Sequence, residues 1–125
     1  MIIITMDTLA LPAETVGARA PSVEGRRLWN LLFQQYSGSI ILIADDRDDK
    51  EHLAYWLKSE GYKPSMIDYA VDSTPREKVR RATQLRNAFG RLHWFVDVDP
   101  YSAQLALEDG LPTIITVAPS VPRAE

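Results

Sequence analysis

The chain has 125 residues, a formal net charge of -3 at pH 7 and a hydrophobic content of 46%. This length fits one domain, and this hydrophobic content is enough for a core, which excludes a disordered chain. The net charge gives no overall attraction to nucleic acid or to an anionic membrane. There is no cysteine and no apolar run of membrane-spanning length, so we expect a cytoplasmic domain without a membrane partner.

Short apolar runs alternate with amphipathic segments along the chain. The β-branched run at 1–5 predicts a first strand, and residues 8–24 predict a loop insertion because they contain two prolines and a glycine without a steady period. Further strands are predicted at 39–44, 63–69, 91–98 and 111–117, and helices at 26–36, 48–59, 76–90 and 100–110. The proline-rich tail at 118–125 is expected to be loose, so that 1–125 is a single domain.

Strict alternation of strands and helices predicts a parallel sheet covered on both faces, which is a three-layer α/β sandwich of the Rossmann-like kind. In such sheets ligands bind beyond the carboxyl ends of the strands. Acidic residues follow several of these ends, in the stretches 5–7, 44–46 and 97–99 and at Asp68. A single acid there is typical of a helix N-cap, and we expect Asp45 and Asp46 to cap the helix at 48–59. Acids at several strand ends together indicate a site.

One family with acidic strand ends is the response-regulator receiver domain. The stretch "ILIADDRDDKEHLAYWLKSEGY" resembles the start of that domain, where an acidic pair binds magnesium, and "HWFVDVDPYS" resembles its phosphoacceptor strand. A receiver needs two further strand-helix units and a lysine at a strand end. Too few residues follow Asp99, and no lysine is among them, so this alternative is disfavoured.

A second resemblance covers nearly the whole chain. The stretches "TMDTL", "ILIADDRDDKEHLAYWLKSEGY", "REKVRRATQLRNAFGR" and "FVDVDPYSAQLALEDGLPTI" follow one another as the four motifs of the haloacid dehalogenase-like (HAD-like) phosphohydrolases do. They resemble in particular the phosphatase domain of polynucleotide kinases. The resemblance implies a five-stranded parallel sheet of order 5-4-1-2-3 and Mg²⁺ as cofactor. The 17 residues of the predicted loop at 8–24 are too few to build a cap domain, so we expect none.

The resemblance also assigns roles to residues, and two of the expected groups are missing. Thr5 stands where the family has its aspartate nucleophile, and Ala44 stands where a hydroxyl binds the phosphate. Asp7 takes the position of the general acid and base. Lys78, with Arg81 as the other candidate, takes the position of the phosphate-binding cation. The metal ligands implied are Asp7, Asp97 and Asp99.

Two functions remain open at this stage. We favour a degenerate HAD-like module that has lost catalysis, or nearly so, and acts through contact with another protein, because loss of the nucleophile removes the covalent step itself. The alternative is a Mg²⁺-dependent phosphomonoesterase that acts through Asp7 on a phosphorylated small molecule, a nucleotide or a nucleic-acid end. The general build also resembles small bacteriophage proteins, which implies the host cytoplasm.

The basic helix at 76–86 has two interpretations. Its cations are suited to nucleic-acid phosphates, as in the polynucleotide phosphatases that the chain resembles. No aromatic residue for base stacking is interleaved among them, so we favour a solvated face that pairs with the acidic segment at 48–51.

Overall fold

The computed structural model describes residues 1–11 and 19–116. In chain order the elements are β1 (Ile2–Thr5), α1 (Met6–Leu9), β2 (Ala10–Leu11), β3 (Ala20–Pro21), α2 (Val23–Tyr36), β4 (Ile40–Asp45), α3 (Lys50–Glu60), β5 (Met66–Ala70), α4 (Pro75–Phe89), β6 (Trp94–Asp97), α5 (Pro100–Glu108) and β7 (Thr113–Ile115). Among these residues, no helix is both long enough and apolar enough to cross a membrane.

The main sheet has five strands in the order β5-β4-β1-β6-β7, and every pair in it is parallel. The predicted α/β class with a five-stranded parallel sheet is therefore confirmed. The short strands β2 and β3 form a separate antiparallel pair, which shifts the labels of all later strands. Counted without that pair, the five strands of the main sheet run 5-4-1-2-3 from the β7 edge, with β1 in the centre.

Helices cover both faces of this sheet, because alternate residues of each strand point to opposite sides. On one face, Ile2 and Ile4 of β1 pack in a cluster with Trp29 of α2 and Leu53 of α3. On the other face, Ile3 packs in a cluster with the buried residues of α4 and α5. All residues of β1 are fully buried. The result is a three-layer α/β sandwich with β1 at its centre.

The predicted loop at 8–24 is wrong in part. Its first residues belong to α1 and to β2, its later ones belong to β3 and to the start of α2, and residues 12–18 lie outside the described chain. α1 and α2 approach closely at Gly25, where an added Cβ would lie 1.9 Å from the carbonyl oxygen of Thr8. The predicted loose tail at 118–125 also lies outside the described residues.

The predicted caps of α3 are wrong. Asp49, and neither Asp45 nor Asp46, is the N-cap: its side chain accepts hydrogen bonds from the backbone N–H groups of Glu51 and His52. Asp45 is instead the last residue of β4, and Asp46 forms an ion pair with Lys50. With several aspartates in succession, the exact start of the helix decides which one caps it, and composition alone leaves that start open.

Candidate functional site

The carboxyl ends of β1 and β6 bring the predicted site residues together. β1 and β6 are parallel neighbours with Ile4 opposite Val96, so the next residues along, Thr5 and Asp97, lie side by side. The Thr5 hydroxyl donates a hydrogen bond of 2.6 Å to Oδ1 of Asp97. Asp7, two residues beyond Thr5, reaches the same edge from α1. The placement of these three residues matches the one that the motif order implies.

Asp97 is a fully buried carboxylate whose oxygens are surrounded by donors. Besides Thr5, it accepts a hydrogen bond of 2.5 Å from the Ser102 hydroxyl at Oδ2. The ammonium group of Lys78 contacts both oxygens, at 3.1 Å from Oδ1 and 3.0 Å from Oδ2. A buried carboxylate is tolerated only when it is paired and hydrogen-bonded, and Asp97 meets both conditions.

Lys78 reaches the site from the first turns of α4. Its backbone N–H donates to the carbonyl oxygen of Thr74, the N-cap residue. Lys78 therefore lies in the first turn of the helix. Its side chain is only 5% exposed, and Nζ also lies 3.2 Å from Oδ2 of Asp7. Burial works to lower the pKa of Lys78, but the charges and hydrogen bonds of Asp97 and Asp7 outweigh it and the pKa is raised. The lysine is therefore a cation shared by two carboxylates.

The two threonines at the start of α1 form a short relay of hydroxyl groups. Oγ1 of Thr8 lies 2.9 Å from Oγ1 of Thr5 and 3.3 Å from the carbonyl oxygen of Val96. The Thr5 proton is directed to Asp97, so the single proton of Thr8 faces two acceptors, the Thr5 hydroxyl and the Val96 carbonyl oxygen. Both threonines are fully buried, so the Thr5 hydroxyl faces protein on every side.

Asp7 is the exposed member of the site. Its side chain is 36% exposed and lines a cleft of about 320 Å³ beyond the ends of β1 and β6. Lys78, Glu24, Asp99 and Thr116 line the same cleft. Three carboxylates and one paired lysine give this cleft a negative character, which opposes the entry of a phosphate group.

Ala44 and Asp45 lie at the end of β4, on the other side of Asp7. They line a cavity of about 10 Å³, which is the room of about one water molecule. Asp45 is held by the guanidinium of Arg47, at 3.0 and 2.7 Å, and by the Ser73 hydroxyl at 2.9 Å. The hydrogen bond from the Arg47 side chain is the largest cause of a pKa of about 2 for Asp45.

Three of the predicted site residues do not take part in the cluster around Asp97: Ala44, described above, Arg81 and Asp99. Both guanidinium edges of Arg81 face other groups, with Nε and Nη2 on Asp68 at 2.8 and 2.6 Å and Nη1 on Gln84. Asp99 lines the cleft, but its side chain caps α5 by accepting from the N–H of Tyr101. Within residues 1–11 and 19–116, no group of three or more His, Cys, Asp or Glu side chains is placed to hold a metal ion.

The basic helix, α4, is mostly paired within the protein, but its predicted partner is wrong. Arg80 binds Glu77 of the same helix, and Arg81 binds Asp68 of β5. Arg86 donates to the carbonyl oxygens of Asp109 and Gly110 at the end of α5. The acidic segment at 48–51 lies on α3, which covers the opposite face of the sheet, so it is not the partner.

Thr8 and Ser102 belong to the site although the sequence analysis did not single them out. A signal for each was present in the spacing. Thr8 follows Thr5 by three residues, which places both on one side of a helical turn, and Ser102 is in the first turn of the helix that follows Asp97. A hydroxyl in the first helical turn after a buried acid is well placed to donate to it.

A comparison with protein-family models found no match, and searches of curated proteins and of solved structures found no similar chain. The likeness to HAD-like phosphohydrolases therefore stays a prediction from the sequence motifs.

Proposed function

We propose that this chain is a HAD-like module that has kept the architecture of a phosphatase and lost its catalysis, and that it acts by contact with another protein. The observation that carries the proposal is the burial of the Thr5 hydroxyl. The residue at the nucleophile position has a fully buried hydroxyl that donates its proton to Asp97. A hydroxyl becomes a nucleophile when a base accepts its proton and a substrate can reach its oxygen, and burial denies the second condition.

The contacts of Lys78 support the same proposal. In a phosphoryl-transfer site, free positive charge and a metal ion stabilise the charge that develops on the phosphoryl oxygens. Here the lysine is shared between Asp97 and Asp7, so its charge is already balanced. Mg²⁺ at these carboxylates would have to compete with the ammonium group. We therefore propose that Mg²⁺ binding is weak and vestigial, and we assign no step to the ion.

The alternative is a Mg²⁺-dependent phosphomonoesterase that acts through Asp7 on a nucleotide or a nucleic-acid end. The exposure of Asp7 in an open cleft favours it, because a large substrate could reach this carboxylate. The negative lining of the cleft and the absence of a free cation beside Asp7 in the described part of the chain weigh against it. For either function we propose the cytoplasm as the location, which suits a chain without cysteine.

A turnover assay separates the two functions. Hydrolysis of an aryl phosphate in the presence of Mg²⁺ should stay at the background rate for the parent protein, and Asp7→Asn should leave that rate unchanged. Asp46→Asn is the matched control, because Asp46 is an exposed carboxylate in an ion pair with Lys50 at the surface. Sustained hydrolysis that is lost in Asp7→Asn and kept in Asp46→Asn would overturn the proposal and establish the alternative.

A further inference from the structure

The strand β5 forms one edge of the main sheet. It pairs with β4 on one side and has no strand on the other among the described residues. Ser65, just before it, donates its N–H to Ile40, the first residue of β4, so Met66 and Asp68 direct their backbone groups away from β4. The carbonyl oxygen of Ala70, at the end of β5, accepts from the N–H of Asp46. Such an edge presents backbone donors and acceptors that an extended chain can pair with.

A groove of about 590 Å³ runs beside this edge, between β5 and the end of α3. Its size is that of a typical ligand pocket. Leu57, Tyr62, Ile67 and Tyr69 give it an apolar wall. Because side chains of an added strand alternate in direction, every second residue of a chain paired with β5 would enter the groove.

One residue of this wall, Tyr62, carries a buried hydroxyl group. The residue is 3% exposed, and its hydroxyl is buried without a hydrogen-bond partner among the described residues. A buried hydroxyl in this state is costly. Burial raises the pKa of the Tyr62 hydroxyl, so the group remains a proton donor.

The charge of the groove indicates which kind of ligand fits it. Lys58 and Lys63 line it, both are exposed, and neither makes an ion pair within the described residues. No acidic residue is among the groove's lining residues. We propose that this groove binds an extended, acidic segment of a partner protein, which adds to the sheet as a strand beside β5 and places apolar side chains in the groove.

A second copy of this chain fits the groove less well. If two copies met at their β5 edges, β5 itself would offer one carboxylate to the lysines, that of Asp68. Arg81 already binds both oxygens of Asp68, so that charge is satisfied. A partner segment with free carboxylates complements the positive charge of the groove, whereas the single carboxylate of β5 is already paired.

This inference names a binding surface for the proposed function. It rests on that function only in the claim that the chain acts by contact with another protein. The two can fail separately. Turnover at Asp7 would refute the loss of catalysis and leave the groove intact, whereas an empty groove would leave the state of Thr5 unchanged.

The test is a selection from a displayed library of random short linear peptides against the full chain. The selected sequences should alternate apolar residues with Asp or Glu. A synthetic selected peptide should shift the NMR amide resonances of β5, and its binding should weaken as salt increases, because the lysines are exposed.

Variants of the groove define the expected losses. Replacing Lys58 and Lys63 together by Gln should weaken the peptide about 3- to 10-fold, whereas Arg27→Gln, which removes an exposed cation outside the groove, should leave its affinity unchanged. Met66→Pro, at the first position of this edge strand, should abolish binding and keep the fold, which circular dichroism checks.

Three results would overturn the inference. The first is that no selected peptide binds the parent more tightly than it binds Met66→Pro. The second is that the selected peptides are basic or without charge. The third is that the free chain forms a dimer in solution that Met66→Pro dissociates. The last result would assign the edge to contacts between copies of this chain.

Discussion

Lys78 balances the charge of Asp97 at the carboxyl edge of the sheet. Its ammonium group lies about equally far from the two carboxylate oxygens of Asp97 and from one oxygen of Asp7. A lysine in this position keeps the carboxylates together without any bound cation. The cluster around Asp97 is therefore explained as a structural one.

The first prediction concerns the removal of this cation. Lys78→Met leaves the buried carboxylate of Asp97 without its counter-ion, so we expect the free energy of unfolding to fall by about 3–5 kcal/mol. Lys63→Met is the matched control, because Lys63 is exposed and should contribute less than about 0.5 kcal/mol. Urea unfolding of both variants measures the difference. Equal stability of the two variants would mean that Asp97 does not depend on Lys78.

The second prediction concerns Asp45 and pH. Because its pKa is lowered to about 2 from an ordinary value of 3.8, its carboxylate stabilises the fold above that ordinary value, and the contribution is lost as the pH falls towards about 2. Asp45→Asn should therefore lower the free energy of unfolding near pH 7 by roughly 1 kcal/mol, a modest amount because Arg47 is mostly exposed. The gap from the parent should narrow as the pH falls.

Chemical denaturation at a series of pH values measures this gap. Asp46→Asn serves as its control, since that carboxylate is exposed and should change stability little at any pH. A gap for Asp45→Asn that stays constant down to pH values near 2 would contradict the role of the Arg47 contact.

At the scale of elements, the contact between α1 and α2 connects the fold to the site. Gly25 of α2 lies against the backbone of Thr8, whose hydroxyl lies 2.9 Å from that of Thr5. A side chain at Gly25 would push α1 away from α2 and disturb the hydroxyl relay. The relay therefore depends on a residue that touches none of its polar groups.

The third prediction follows from this contact. Gly25→Ala gains about 1 kcal/mol in helix propensity, but its Cβ would lie 1.9 Å from the Thr8 carbonyl oxygen, and overpacking of this kind costs about 1–3 kcal/mol or more. We expect a net loss of stability in thermal unfolding. Asn30→Ala, at an exposed position of the same helix, should be neutral or slightly stabilising. A Gly25→Ala variant as stable as Asn30→Ala would contradict the close packing of the two helices.

The long elements could be predicted from the sequence, whereas the short ones could not. The apolar runs that became β1 and β4 are strands by composition alone, and their parallel pairing follows from the helices between them. β2 and β3 have two residues each and exist because Ala10 pairs with Pro21 far along the chain. Local composition carries no trace of such a pairing, so the sequence predicts a loop there.

The same distinction holds for the site, where some contacts could be predicted from the sequence and others could not. The strand order implied by the motifs places Thr5 beside Asp97, and this adjacency could be predicted. The partner of Arg81 could not, because Asp68 and Arg81 meet across the layer between β5 and α4. That contact depends on side-chain reach, which sequence spacing does not determine.

For the whole molecule, the carboxyl edge of the sheet is filled and the β5 edge is open. At the carboxyl edge, hydroxyl groups and a lysine occupy the oxygens of Asp97, and the adjoining cleft is negative. At the β5 edge, an apolar groove with two lysines that make no ion pair within the described residues borders the edge strand. This distribution is the one expected if the protein acts as proposed, by binding a partner at its sheet edge and not by phosphoryl transfer.

The most direct test of this account is ¹⁹F NMR with beryllium fluoride and Mg²⁺, which together mimic a phosphorylated aspartate. The parent should show no bound fluoride signal, because Thr5 offers a buried hydroxyl in place of a carboxylate. The double variant Thr5→Asp and Ala44→Thr restores the two groups that the resemblance implies, and it should show bound signals. Bound signals in the parent that disappear in Asp7→Asn would contradict the account, because they would show that Asp7 is a working nucleophile.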